Sequence, residues 1–445
     1  MKRILALLLS GSLLFASADE IIICENGTEM LAWDLDFVCH AEKSIEISAC
    51  FFGGDVLQDL LHTIESRMEE RPELIVHILT TPILMEERDE ALISQLEAKF
   101  PERFHLVHAY NVLTMEPVGC IDNHMKLFVV DEKYYSMGGS NLDDIAISEG
   151  TIGIDAAPHC KKVPVELPSG SRDQDLVGKG EMAKELRVIF FKMYAIWELF
   201  NEERRLSELN PECYQTKWFP VEANTVVEDF DRSEDLIPLE KEEFKIILGG
   251  PHQPTNAITN AYVELLSQAK KEVLIANLYF NPPKPIFDLI KKAAVPFKIV
   301  TNGVRKSSPK CNNMYCWAHR VNYVPALYGK NYRFWEKSHC ERDHIQQVEL
   351  FEYDVKNVVL HKKAMVVDDE VVVIGSYNLG SKSDQCDYEL IAVIRSKKAA
   401  CALKKVLKRD FEHSAKISPE EARSWYFDIH TAYIGELQKD FNGFV

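Results

Sequence analysis

Apolar positions along the chain fall into two rhythms. Short apolar runs at residues 45–52, 74–79 and 104–108 have the length of strands. Between them, residues 56–68 carry Leu57, Leu60, Leu61 and Ile64 on one helical stripe, and residues 86–100 read as a second helix. Strand alternating with helix predicts an α/β fold whose sheet is mainly parallel and covered on both faces. Residues 182–201 predict a further long helix, and the pattern restarts at Phe244 with a helix at 287–294 and strands at 297–301 and 348–353.

The restart is a duplication. Residues 124–141 read HMKLFVVDEKYYSMGGSN and residues 361–378 read HKKAMVVDDEVVVIGSYN. His124, Lys126, Asp131, Gly138, Gly139 and Asn141 match His361, Lys363, Asp368, Gly375, Ser376 and Asn378 at a constant offset of 237 (361 − 124). Residues 269–280 echo residues 41–52 at an offset of 228 (269 − 41), so the whole half is repeated. The expected architecture is two duplicated α/β halves, each a mixed, mainly parallel sheet flanked by helices, sharing one active-site cleft. The halves span 19–206 and 244–445, joined by an irregular, acidic connector at 207–243.

Each motif predicts an apolar strand after His-x-Lys, a turn at Asp-Glu or Asp-Asp, and a returning strand that bends at a pair of small residues. Alternation sets His and Lys on one face, and the Asn after the bend returns to the same spot. A pseudo-twofold would bring both sets into one site with two imidazoles facing across it. Lys126, Lys363, Asn141 and Asn378 then form a cradle for a phosphoryl group, and no cofactor or metal is demanded. One imidazole attacks phosphorus while the other protonates the leaving oxygen. The candidate catalytic set is His124, Lys126, Asp131, His361, Lys363 and Asp368, although both aspartates lie beyond the strand and look like turn-holders.

A nucleophilic histidine needs an acceptor on its far nitrogen. Glu389, 28 residues after His361 (389 − 361), and Asp155, 31 after His124 (155 − 124), are the candidate orienting acids, ahead of Glu149. The plainer reading is that these carboxylates cap strand ends at the surface.

Residues 1–18 have the form of a secretory signal: Lys2-Arg3, an apolar run from Ile4 to Phe15, then Ala16-Ser17-Ala18. Export to the periplasm, to the medium or to a membrane surface is the expectation. Losing Lys2 and Arg3 takes the formal charge from −18 to −20, which opposes binding of long polyanions. The 11 cysteines are odd in number. Among Cys311, Cys316, His319, His339, Cys340 and His344 the spacing suits disulfides or buried thiols better than zinc. Residues 158–181, rich in Pro and Gly, predict a long loop. Tyr315, Trp317, Tyr323, Tyr328, Tyr332, Phe334 and Trp335 form an aromatic insertion suited to a lipid interface or ligand wall, or simply to packing a long loop.

The two H-x-K-x4-D-x6-G-G/S-x-N segments resemble those of the phospholipase D superfamily, and the duplicated halves extend that resemblance over residues 30–410. The resemblance implies metal-free cleavage of a phosphodiester through a phosphohistidine, with water or an alcohol as acceptor. It implies His124 as nucleophile and His361 as acid, then base. The expected activity is a phospholipase D-type phosphodiesterase or phosphatidyltransferase on phospholipid headgroups at a membrane surface. A cardiolipin synthase-like transferase and an exported nuclease of the same superfamily are the alternatives. A non-enzymatic binding role is disfavoured because neither motif has lost a member. Nothing in the sequence sets an oligomeric state.

Overall fold

The structure, a computed structural model, describes residues 19–115, 118–144, 146–147, 170–202, 230, 233, 235–240, 243–251, 255–303, 313–330, 347–355 and 358–440. The first half runs β1 (Asp19–Ile23), α1 (Gly27–His40), β2 (Ser44–Gly53), α2 (Gly54–Glu70), β3 (Ile75–Thr81), α3 (Glu87–Lys99) and β4 (Phe104–His108). It continues with β5 (Val112–Met115), β6 (Val118–Ile121), β7 (Leu127–Val130), β8 (Tyr134–Gly138), β9 (Leu142–Asp143), β10 (Gly170–Arg172), β11 (Asp175–Gly180), α4 (Met182–Glu202) and β12 (Ile237–Leu239).

The second half opens with β13 (Phe244–Gly249), α5 (Ala257–Gln268), β14 (Val273–Asn277), α6 (Lys284–Ile290), β15 (Phe297–Asn302), α7 (Asn313–His319) and α8 (Tyr323–Tyr328). Then come β16 (Val348–Tyr353), β17 (Val358–Leu360), β18 (Lys363–Val367), β19 (Val371–Gly375), α9 (Ser381–Gln385) and β20 (Glu389–Arg395). It closes with α10 (Lys397–Glu412), β21 (Ser414–Lys416), α11 (Pro419–Tyr426) and α12 (Ile429–Asp440).

One sheet has the order β12-β1-β11-β8-β7-β2-β3-β4, the other β13-β20-β19-β18-β14-β15-β16-β21. The shared run is β1/β13, β11/β20, β8/β19, β7/β18, β2/β14, β3/β15 and β4/β16. The duplication is visible in the register: Leu127 faces Ser48 and Ala364 faces Ala276, reproducing both sequence offsets at once. The sheets are mixed, but parallel pairing among those strands is confined to β2-β3-β4 and β14-β15-β16. The expectation of a mainly parallel sheet fails because each motif is a tight hairpin, which must pair antiparallel, and β11 or β20 adds another antiparallel strand.

Both faces of each sheet are buried. Along β7, Leu127 and Val129 enter the central core while Phe128 and Val130 enter the outer core under α1, α2 and α3. Along β18, Ala364 and Val366 face the central core, and Met365 and Val367 the outer core under α5, α6, α8 and α11. Leu186, Phe190 and Trp197 of α4 and Leu403 and Leu407 of α10 fill the centre, so five layers alternate helix and sheet. No described helix is long and apolar enough to cross a membrane.

Two stretches differ from their sequence reading. Part of the expected 158–181 loop is β10 and β11, while residues 158–169 lie outside the described residues. Its glycines look like breakers, yet Gly178 is a strand residue whose absent Cβ would stand 2.4 Å from the Tyr135 ring. Within 207–243, Ile237–Leu239 pairs with β1 at the edge of the first sheet. In the aromatic insertion, Tyr323 and Tyr328 are core residues. Trp317 is exposed, its indole N–H donating to Thr431 Oγ1 at 2.8 Å. Tyr332, Phe334, Trp335 and the signal-like residues 1–18 lie outside the described residues. Of the Cys/His cluster, Cys316 is a buried free thiol accepting from Asn302 at 3.3 Å, and His319 Nδ1 accepts the Phe280 N–H at 3.3 Å. Cys311, His339, Cys340 and His344 lie outside the described residues.

Candidate active site

The turn residues of the two motifs settle what the aspartates do. Asp131 and Glu132, like Asp368 and Asp369, have φ between 53° and 61°, the left-handed central pair of turns closed by the Lys133 N–H on Val130 O and the Glu370 N–H on Val367 O. Asp131 accepts the N–H groups of Glu42, Lys43 and Ser44 at 2.7, 2.6 and 2.9 Å, tying the turn to the start of β2. Asp368 does the same to Lys270, Lys271 and Glu272 at 2.7, 2.6 and 3.1 Å. These carboxylates therefore sit at the far end of the motif strand from the histidines. They leave the candidate catalytic set and are structural.

The histidines lie at the other end, where the two halves exchange backbone. β10 pairs with β17 in parallel, and the His361 N–H donates to Arg172 O at 2.9 Å. On the opposite side Asn123 bridges Tyr388 in parallel, the His124 N–H donates to Tyr388 O at 3.0 Å, and the Tyr388 N–H donates to Asp122 O at 2.9 Å. Each histidine thus lies against a strand of the other half, and the residue following its backbone partner is an acid. Asp173 Oδ2 lies 2.7 Å from Nδ1 of His361. Glu389 places Oε1 and Oε2 each 2.9 Å from Nδ1 of His124.

The orienting acids are therefore crossed. Glu389 serves the histidine of the first half, not the one 28 residues before it (389 − 361). Asp155 and Glu149 lie outside the described residues, and the carboxylate on His361 is Asp173, which sequence reasoning missed. The strand register held the signal. Asp175 faces Gly138 and Ile391 faces Gly375, an offset of 216 (391 − 175) that maps Glu389 onto Asp173.

The small pair after each motif strand is shaped by these acids. A Cβ on Gly139 would stand 2.2 Å from Asp173 Oδ1, so no side chain fits there. At the matching position Ser376 donates its hydroxyl to the longer Glu389, which also accepts from Ser383 at 2.5 Å. Lys126 Nζ donates to His124 O at 2.8 Å, and Lys363 donates to His361 O and lies 2.8 Å from that ring's Nδ1. Lys363 also crosses the interface, its Cδ 3.4 Å from the position a Gly139 Cβ would take. Asn141 Oδ1 accepts from the Phe51 N–H at 3.4 Å, and Asn378 is buried with its Oδ1 unpaired among the described residues.

Electrostatics separate the two histidines. Burial, then Lys126, Lys363, Lys382 and His361, hold the His124 imidazole well below its ordinary pKa. Burial also lowers His361, but the Asp173 carboxylate pulls the other way. Asp173 stays below the usual carboxylate range because His361 and Lys363 outweigh its burial. Glu389 is pushed up to about 8 by burial and by Asp387, against the pull of Lys126. The tautomer that directs Nδ1–H at the neighbouring acid leaves Nε2 as the open nitrogen of each ring. His124 has the character of a lone-pair donor, and His361 is the one better able to hold a proton.

The profile of the family described as "Cardiolipin synthase, PLD-like domain" matches residues 262–413. Cardiolipin synthase 2 of Staphylococcus epidermidis is 24% identical over 429 residues, covering 94% of this chain and 74% of that protein. A probable cardiolipin synthase of Bacillus subtilis is 25% identical over 302 residues, covering 67% of this chain and 47% of that one. The crystal structure of phosphatidylserine synthase from Haemophilus influenzae Rd KW20 has the same fold, with a TM-score of 0.61 at 14% identity over 95% of both chains. The family match in the second half, the paired motifs and the duplicated fold are thus similar to those of the phospholipase D superfamily.

Proposed function

We propose that the protein is a phosphatidyltransferase that moves a phosphatidyl group from a phospholipid to an alcohol acceptor through a phosphohistidine on His124. The crossed pairs, Glu389 on His124 and Asp173 on His361, carry this reading. His124 Nε2 attacks phosphorus, the bond from phosphorus to the headgroup oxygen breaks, and His361 gives that oxygen its Nε2 proton. The acceptor alcohol then loses its proton to His361 and attacks phosphorus, the phosphorus–nitrogen bond breaks, and His124 is released. Lys126 and Lys363 meet the charge that builds on the phosphoryl oxygens. Binding an anionic phosphodiester offsets the neighbouring cations and raises the proton affinity of His361, so the acid is charged when it is needed.

Transfer is preferred to hydrolysis because the relatives that span most of the chain are named as synthases. The donor best matching those names is phosphatidylglycerol, with a second phosphatidylglycerol as acceptor. Labelled phosphatidylglycerol in mixed micelles tests this: a diphosphatidyl product with free glycerol is expected, lost in His124→Ala. Phosphatidic acid as the sole product would reinstate the hydrolytic reading. Degradation of single-stranded DNA that needs His124, with lipid untouched, would establish the nuclease.

A further inference from the structure

The bridge that delivers Glu389 to His124 begins with an aspartate on each strand. Asp122 lies two residues before His124 (124 − 122), and Asp387 two residues before Glu389 (389 − 387). Two carboxylates at the same end of a parallel bridge repel, and most strongly where water is excluded. Lys382 on α9 places its ammonium against both, 2.5 Å from Asp122 Oδ2 and in contact with Asp387 Oδ1. The next residue, Ser383, donates to Glu389 itself. Asp387, Glu389 and His124 each bring a ligating atom within 4.8 Å of the others, a grouping that would suit a divalent ion. The ammonium already pairs with Asp387, so the positive charge beside the pair is supplied by a side chain.

This cation belongs to one histidine only. The position 237 upstream of Lys382 (382 − 145) is Ile145. The His361 pair is backed instead by Lys362, buried 2.8 Å from Asp410 Oδ2, with Arg172 on the other oxygen of Asp410. Lys362 in turn has Met125 as its upstream counterpart. Each histidine is therefore braced by an ion cluster of its own construction.

We propose that Lys382 is a positioning residue for the transfer reaction: it staples the Asp122 and Asp387 strands so that Glu389 meets His124, and it cancels the Asp387 charge beside that pair. Its kinetic consequences rest on the proposed function; its geometry does not. The charged groups around the pair are Lys126 from the first motif, His361 and Lys363 from the second, Lys382 from α9, Asp387 before β20 and Asp122 before His124. The buried Cys50 thiol of β2 lies under the same four charges of Lys126, Asp122, Lys382 and Asp387. Removing the lysine leaves two carboxylates unopposed. His124 then gains proton affinity, and the acid limb of phosphoenzyme formation moves to higher pH.

The test is a histidine ¹⁵N titration of the full-length protein, read beside single-turnover phosphoenzyme formation. In Lys382→Met the His124 midpoint should rise by about one pH unit, with about a tenfold loss of phosphoenzyme below it. Lys382→Arg should restore both. The double variant Lys382→Met with Asp387→Asn keeps the local charge balanced and should titrate like wild type. This variant carries the comparison if the single one does not fold. An unmoved His124 midpoint in folded Lys382→Met would overturn the proposal, as would a midpoint still raised in the double variant. A wild type that shows these titrations but transfers no phosphatidyl group would instead refute the proposed function.

Discussion

Glu389 of the second half grips Nδ1 of His124 in the first half with both carboxylate oxygens, each at 2.9 Å. Asp173 returns the arrangement to His361 at 2.7 Å. Among the described residues each motif histidine takes its carboxylate from the other half, so neither pair forms until the two halves dock.

The roles of the histidines follow from their surroundings. With an activated substrate, His361→Ala should still accumulate phosphoenzyme, and His124→Ala should form none. An acid-labile phosphohistidine mapped to residue 361 in wild type would reverse the assignment.

Crossing predicts an exchange of phenotypes between halves. Glu389→Gln keeps the size of the side chain but removes its charge and replaces one acceptor oxygen with a donor NH2, so the His124 tautomer is no longer fixed. It should slow phosphoenzyme formation by about 10²–10⁴-fold. With an activated substrate, whose leaving group needs no acid, Asp173→Asn should spare the first step and slow the second, leaving more phosphoenzyme at steady state. Quench-flow on both variants separates these outcomes, and equal effects on the first step would contradict the crossed roles.

The motif aspartates should report on stability, not chemistry. Asp368 loses proton affinity because three backbone N–H groups outweigh its burial. Its folded pKa is depressed, so its contribution is full above the ordinary carboxylate pKa and fades as pH falls through the folded value. Asp368→Ala should cost about 1–2 kcal/mol at neutral pH. The gap to wild type in urea midpoint should close as pH falls below the ordinary carboxylate pKa and through the folded value. A gap that persists there, or a large loss of turnover per folded molecule at neutral pH, would return the aspartate to the chemistry.

Side-chain ammonium groups supply positive charge beside the first histidine. Lys126, Lys363 and Lys382 all bear on His124. Turnover should therefore survive a chelator. Loss of activity in chelator that a divalent ion restores would contradict this, whereas an ion effect on lipid binding alone would not.

Much of this was legible in the letters. The repeat at offset 237, the echo at offset 228, the motif hairpins and the paired His-Lys-Asn sets are local patterns, and local spacing determines strand, turn and face. The strand of residues 348–353 needs nothing beyond its own sequence to be recognised. The partners of the histidines are a different matter. Glu389 is 265 residues from His124, and Asp173 is 188 from His361. Which carboxylate reaches which ring depends on the parallel pairing of β10 with β17 and of Asn123 with Tyr388, contacts between halves that no local period encodes. Asp173 was hidden for the same reason: β10, the strand just before it, is only Gly170–Arg172 and among the described residues pairs with β17 of the other half. Sequence determined the two His-Lys-Asn sets. Docking of the halves decided which acid sets each imidazole, because a hydrogen bond depends on distances that only the packed interface defines.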